Sequence, residues 1–253
     1  MNVGIVLVEI ASQMAAACAA IEWHLGETLQ AMHLFGSAVD GGLKPRSDID
    51  LLVAIAASPG EAARRALMVD LLDVSALPGS AAHMRALEVT IVVRGDVVSW
   101  RHPAWRALQF GEWLLRDLRA GIVEPPCVDH DLAILLTKEQ QHDVALLRSH
   151  AAASFEPVPA RDFVAALLAT VAQWHAERDW RGDEYDVVLA HASSKAPRPA
   201  GSRRRTSLRR RYWRACPTRA DPSCRSRAPS ICTGDGADEL PSPGPVAVFV
   251  RGA

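Results

Sequence analysis

Residues 48–56, Asp-Ile-Asp-Leu-Leu-Val-Ala-Ile-Ala, alternate at first and then become continuously apolar. That is the pattern of a central strand whose two faces are both covered. Residues 87–93, Leu-Glu-Val-Thr-Ile-Val-Val, repeat it with more β-branched side chains. Residues 29–35, Leu-Gln-Ala-Met-His-Leu-Phe, form a shorter apolar run that ends on Gly-Ser, as a strand entering a turn does. The stretch between the two longer runs predicts a helix after Pro59 and Gly60, carrying Ala63, Leu67, Leu71 and Leu72. Spacings of three and four predict another helix over 8–24, and residues 41–47 read as a loop. Further helices are expected over 104–119, 129–148 and 161–176. The order strand, strand, helix, strand and then helices implies an α/β domain, a mixed sheet with flanking helices, followed by an all-helical one. Its boundary is expected near Pro157–Pro159, giving domains at 1–157 and 158–190.

The chemistry gathers around the first of these strands. Gly36-Ser37 is followed by ten residues and then Asp48-Ile49-Asp50. A period of two puts Asp48 and Asp50 on one face of a strand and Ile49 on the other. Two carboxylates so placed repel each other, and a divalent cation with a taste for hard oxygen ligands relieves the repulsion. Gly36 lets the backbone approach a ligand closely, and Ser37 offers a hydroxyl and an N–H. A turn with N–H groups beside a metal-binding carboxylate pair suits a nucleoside triphosphate. Glu88, at the start of the 87–93 strand, could join the pair, either binding metal or taking a proton from an attacking hydroxyl. Singly, each feature has an ordinary reading as a turn, a solvated strand end or an edge charge; the order and spacing make the set specific.

With these residues in place, the chain resembles the nucleotidyltransferases, and more narrowly the aminoglycoside (3'')(9)-adenylyltransferases. The likeness runs through 34–42 and 47–53, Glu88–Val93, Leu108–Trp113, Asp131–Lys138 and Asp179–Glu184, and covers roughly residues 5–190. It implies a Mg²⁺-dependent transfer of AMP from ATP to a hydroxyl of streptomycin or spectinomycin. Asp48, Asp50 and Glu88 would hold metal, with Glu88 also the general base. Gly36, Ser37, Ser47 and Asp131 would line the nucleotide site, and Trp113, Trp174, Asp179 and Asp183 would face the drug. The alternatives are a nucleotidyltransferase with another acceptor, or a chain inactivated by its altered C-terminal part.

Charge agrees with a cationic acceptor. Residues 1–190 carry 15 Lys and Arg against 25 Asp and Glu, so the body attracts polycations. No apolar stretch reaches membrane-spanning length, and no Lys or Arg precedes Lys44, as a secretory leader would require. The five cysteines show no C-x-x-C spacing. A cytoplasmic monomer that binds neither nucleic acid nor membrane is the expectation.

Residues 191–232 break the pattern, with 12 basic residues against one acid. Periodicity stops, and Arg203–Arg205 and Arg209–Arg211 interrupt a Ser-, Pro- and Ala-rich run. The family continues here with words like Ile-Ala-Pro-Lys-Asp. The codons for Gly201 to Thr206 can spell those words in a shifted frame. We read 191–232 as a frameshifted, basic, unstructured segment and 233–253 as a remnant of the C-terminal helix, back in frame. The family's nucleotide-binding lysine would fall at Arg204 or Arg205. Resequencing the coding DNA is expected to reveal two compensating insertions or deletions; a single uninterrupted frame would reject this origin.

Overall fold

The computed structural model describes residues 3–40, 42–44, 47–77, 84–148 and 150–172. Trp174, Asp179, Asp183, the proposed frameshifted segment and the C-terminal remnant lie outside these residues. The chain divides into two units, Met1–Phe163 and Val164–Ala253. Their boundary falls inside the last described helix.

The first unit begins with α1 (Val3–Leu25) and β1 (Leu29–Phe35), which runs into a 3-10 turn at Gly36–Ala38. Then come β2 (Ile49–Ile55), α2 (Glu61–Asp73), β3 (Leu87–Val93) and the short α3 (Arg94–Val97). They are followed by β4 (Ala104–Arg106), β5 (Leu108–Phe110), a second 3-10 turn at Glu112–Leu114, α4 (Leu115–Arg119) and β6 (Cys127–Asp129). The last elements are α5 (Leu132–Glu139), β7 (Val144–Leu147), α6 (Ala151–Ser154) and α7 (Ala160–Val171), which crosses the boundary between the units. Five strands form one sheet in the order β5-β3-β2-β1-β7, and β4 pairs with β6 in a separate ribbon. Among the described residues only β2 and β3 are parallel and the other pairings are antiparallel, so the sheet is mixed. The parallel pair needs a crossover, and α2 supplies it.

Alternation sorts the sheet into two faces. Met32, Leu34, Ile49, Leu51, Val53, Ile55, Leu87, Val89, Ile91, Leu108 and Phe110 point one way. They form one core with Ile10, Ala17, Ile21 and Leu25 of α1, Leu67, Met68 and Leu71 of α2, and Leu115 and Leu118 of α4. The hydrophobic effect over this face is the main force holding the first unit together. The other face carries His33 and Phe35 of β1, Asp50 and Leu52 of β2, Glu88 and Thr90 of β3, and Gln109 of β5, in register.

Polar contacts fix the approaches to the sheet. The Gln13 amide of α1 donates to the carbonyls of Val74 and Arg85, at 2.9 and 2.7 Å, and accepts from Arg85 N–H at 2.9 Å. That pins α1 to the segment leading into β3. Arg85 in turn donates to the carbonyl of Lys44 at 2.7 Å, holding the loop just before Asp48. Arg106 is buried between Asp129 and Glu124. Burial opposes its charge, yet Asp129, Cys127 and Glu124 hold its pKa above the ordinary value. Burial, helped by Glu22, pushes the pKa of the half-buried Cys18 thiol up to about 11, which disfavours the reactive thiolate.

Two expected helices are corrected. Residues 104–119 are two short strands, a turn and only five helical residues. Leu108-Gln109-Phe110 pairs with Val89–Ile91, and tertiary pairing with β3 overrides the apparent helical spacing. Residues 129–148 are helical only to Glu139. The polar run Gln140-Gln141-His142-Asp143 ends the helix, and Val144–Leu147 then pairs with β1 at the sheet edge. Among the described residues, no helix is long and apolar enough to cross a membrane.

Candidate active site

The polar face of the sheet gathers the acids. Asp50 and Glu88 are direct neighbours across the parallel β2–β3 pair. Parallel strands lie about 4.8 Å apart, and paired residues share a face, so the two carboxyls rise side by side. Asp48 precedes β2 by one residue and is half-buried, two positions before Asp50. Glu88 is 1% exposed, and the Gln109 amide donates to its Oε1 at 3.4 Å. Gln109 therefore orients the carboxyl from the next strand. The sequence reading passed over it because a neutral amide carries no charge signal; its place beside Glu88 depends on the β3–β5 pairing.

Gly36 closes the other side. Phe35 pairs with Asp50, so the turn after β1 begins directly beside that carboxyl. Gly36 has φ +70°, in the left-handed region. A methyl group there would overlap Asp50 Oδ2 and come within 2.8 Å of its Cγ. Glycine is thus required twice, for conformation and for space. The turn it starts is tight: the N–H groups of Val39 and Asp40 both donate to its carbonyl, at 3.1 and 2.8 Å. Ser37 is half-buried in this turn. Ser47 lies at the end of the preceding loop, where its Oγ accepts from Lys44 N–H at 2.9 Å.

The donor set of Asp48, Asp50 and Glu88 is all oxygen, which fits Mg²⁺. Mg²⁺ binds through one or two carboxylates and completes its shell with water and substrate phosphates. A cradle of acids opened by a glycine turn suits that division of ligands. Asp50 and Glu88 are the two of these acids that the strand pairing sets side by side.

Two more of the expected residues, Asp131 and Trp113, lie among the described residues. Asp131 immediately precedes α5, and its N–H donates to Asp129 Oδ1 at 2.9 Å. Trp113 follows β5, is half-buried and packs against the apolar core. Its ring also covers Gly111, where a methyl group would come within 2.7 Å of Cζ2 and Cζ3.

Comparison with known proteins places this arrangement. Residues 22–104 match the family model described as a nucleotidyltransferase domain. Over 184 residues the chain is 53% identical to an aminoglycoside (3'') (9) adenylyltransferase of Shigella flexneri, covering 73% of this chain and 70% of that one. It is 33% identical to a spectinomycin 9-adenylyltransferase of Staphylococcus aureus, over 66% of this chain and 64% of that one. The fold resembles the crystal structure of an Enterococcus spectinomycin adenyltransferase with ATP and spectinomycin. The TM-score is 0.67 and identity 23%, over 72% of this chain and 73% of that one.

Gly36→Ala should destabilise the protein by at least about 1 kcal/mol, the usual least cost of a non-glycine residue in the left-handed region. Gly60→Ala, where nothing lies within 4 Å of an added methyl group, is the control. Urea titration of both checks it; equal midpoints would show that Asp50 does not confine the turn.

Proposed function

We propose that this chain, which belongs to the aminoglycoside (3'')(9)-adenylyltransferase family, transfers AMP from ATP to a hydroxyl of an aminocyclitol antibiotic and so confers resistance. The acceptors are the 3'' hydroxyl of streptomycin and the 9 hydroxyl of spectinomycin, and pyrophosphate is the second product. The observation that carries the reading is the Asp50–Glu88 pair, side by side on parallel strands against the Gly36 turn.

Glu88 is the base. Its carboxylate accepts the proton of the drug hydroxyl as the oxygen attacks the α-phosphorus and the bond to pyrophosphate breaks in line. Gln109 holds the carboxyl in its buried position, which limits its contact with bulk water. Asp48, Asp50 and Glu88 would hold Mg²⁺, which when bound would supply charge neutralisation to the reacting phosphates. Ser37, Ser47 and Asp131 border the nucleotide. Trp113 and Trp174 stack on sugar or guanidinium faces, and Asp179 and Asp183 pair with the drug's cationic groups. The net negative body draws in the polycation. The protein works in the cytoplasm as a monomer.

A second reading keeps the same site in a chain weakened by its C-terminal part. The composition break at residue 191 favours it. Restoring the family frame over 191–232 would then raise activity.

The test is pyrophosphate release with ATP, Mg²⁺ and each drug in turn. Release that requires one of the drugs is expected; no release with either, before or after restoring the frame, would reject the assignment. Glu88→Gln should retain ATP and drug binding while kcat falls by about 10²–10⁴, the usual contribution of a positioned base. Normal turnover in that variant would remove Glu88 from the role.

A further inference from the structure

We propose that a cleft at the far end of the sheet is a binding site for a small phosphate-bearing anion. The cleft has a volume of about 330 Å³, and Gln30, Arg94, Arg148 and Ser154 line it together with three alanines. That volume is at the lower end of the roughly 300–1,000 Å³ usual for small-molecule sites. The alanine methyl groups leave the space open.

Strand directions bring the two arginines to one place. β1 and β2 are antiparallel, so the start of β1, with Gln30, meets the end of β2, with Ala54. Arg94 directly follows β3, which is parallel to β2, and Arg148 directly follows β7, which is antiparallel to β1. Both therefore arrive at the same end of the sheet. Asp50 and the Gly36 turn lie at the other end. Ala54 is four residues past Asp50, about 13 Å at the usual strand rise, so the cleft is separate from the acidic site.

The charge in the cleft has no counterpart. No Asp or Glu lines it. Among the described residues, the ion pairs of arginine use Arg65, Arg85, Arg106 and Arg161, not Arg94 or Arg148. Arg94 spends one donor on the Ser154 carbonyl at 3.5 Å, which ties the end of β3 to α6 and leaves the rest of its five N–H groups. Arg148 has φ +68°, a strained conformation for a residue other than glycine, so the backbone turns sharply where its side chain joins the lining. Two like charges facing one space repel, and an anion between them relieves the repulsion. Paired guanidinium forks match phosphate oxygens, and the Gln30 amide adds a neutral donor to the same lining. In a body with 15 Lys and Arg against 25 Asp and Glu, a cleft lined by two arginines and no acid is a local exception.

The test titrates pyrophosphate, and separately glycerol phosphate, into the full chain by calorimetry. A chelator removes Mg²⁺, and KCl holds the ionic strength constant. One equivalent of at least one probe should bind saturably; preference for pyrophosphate would point to a free inorganic anion, and preference for glycerol phosphate to an organic phosphate. Arg94→Gln and Arg148→Gln should each weaken binding about tenfold or more. Arg148→Lys should recover only part of the loss, because an ammonium lacks the fork. Arg116→Gln, on exposed α4 surface outside the cleft, should change nothing. If one cleft variant fails to fold by circular dichroism, the other decides. No saturable binding of either probe, or binding that the folded cleft variants leave unchanged, as the Arg-rich run at 203–211 alone would give, would overturn the site.

Discussion

Two carboxyls on adjacent parallel strands set the terms for everything around them. Asp50 and Glu88 cannot sit side by side without compensation, and neither can move without breaking the register of β2 and β3. The fold meets this constraint from several directions. Gly36 gives up its side chain so that Asp50 has room, and Gln109 reaches from β5 to hold Glu88. The apolar face behind the pair keeps both strands flat against α1 and α2.

The same sheet face carries two polar clusters of different character. The Asp48, Asp50 and Glu88 group is all oxygen, and Asp48 and Asp50 are half-buried at the start of β2. The cluster of His33 with Asp143 mixes nitrogen with oxygen and is closed in by Phe155 and by the turn before β7. His33 and Phe35 are two positions apart on β1, and Phe35 is the direct neighbour of Asp50.

Much of this was legible in the sequence, and the failures have a common cause. The runs 29–35, 48–56 and 87–93 announced themselves because the middle of a sheet demands continuous apolar residues, and Asp48-Ile49-Asp50 stood out against that background. Leu108-Gln109-Phe110 and Val144–Leu147 did not, because three or four residues carry too little periodicity to separate strand from helix. Their state is fixed by partners far away in sequence, β3 and β1. Gln109 and Asp143 went unnoticed for the same reason: their partners are chosen by pairing and packing, not by spacing.

The amide of Gln13 grips both ends of the segment that feeds β3, from a helix more than sixty residues upstream. The floor beneath Glu88 is therefore fastened from the beginning of the chain. A gene whose start codon is assigned one helix too late would encode every acid of the centre and lack the fastener. Such a product would look complete in an inventory of motifs and still leave the approach to β3 unpinned.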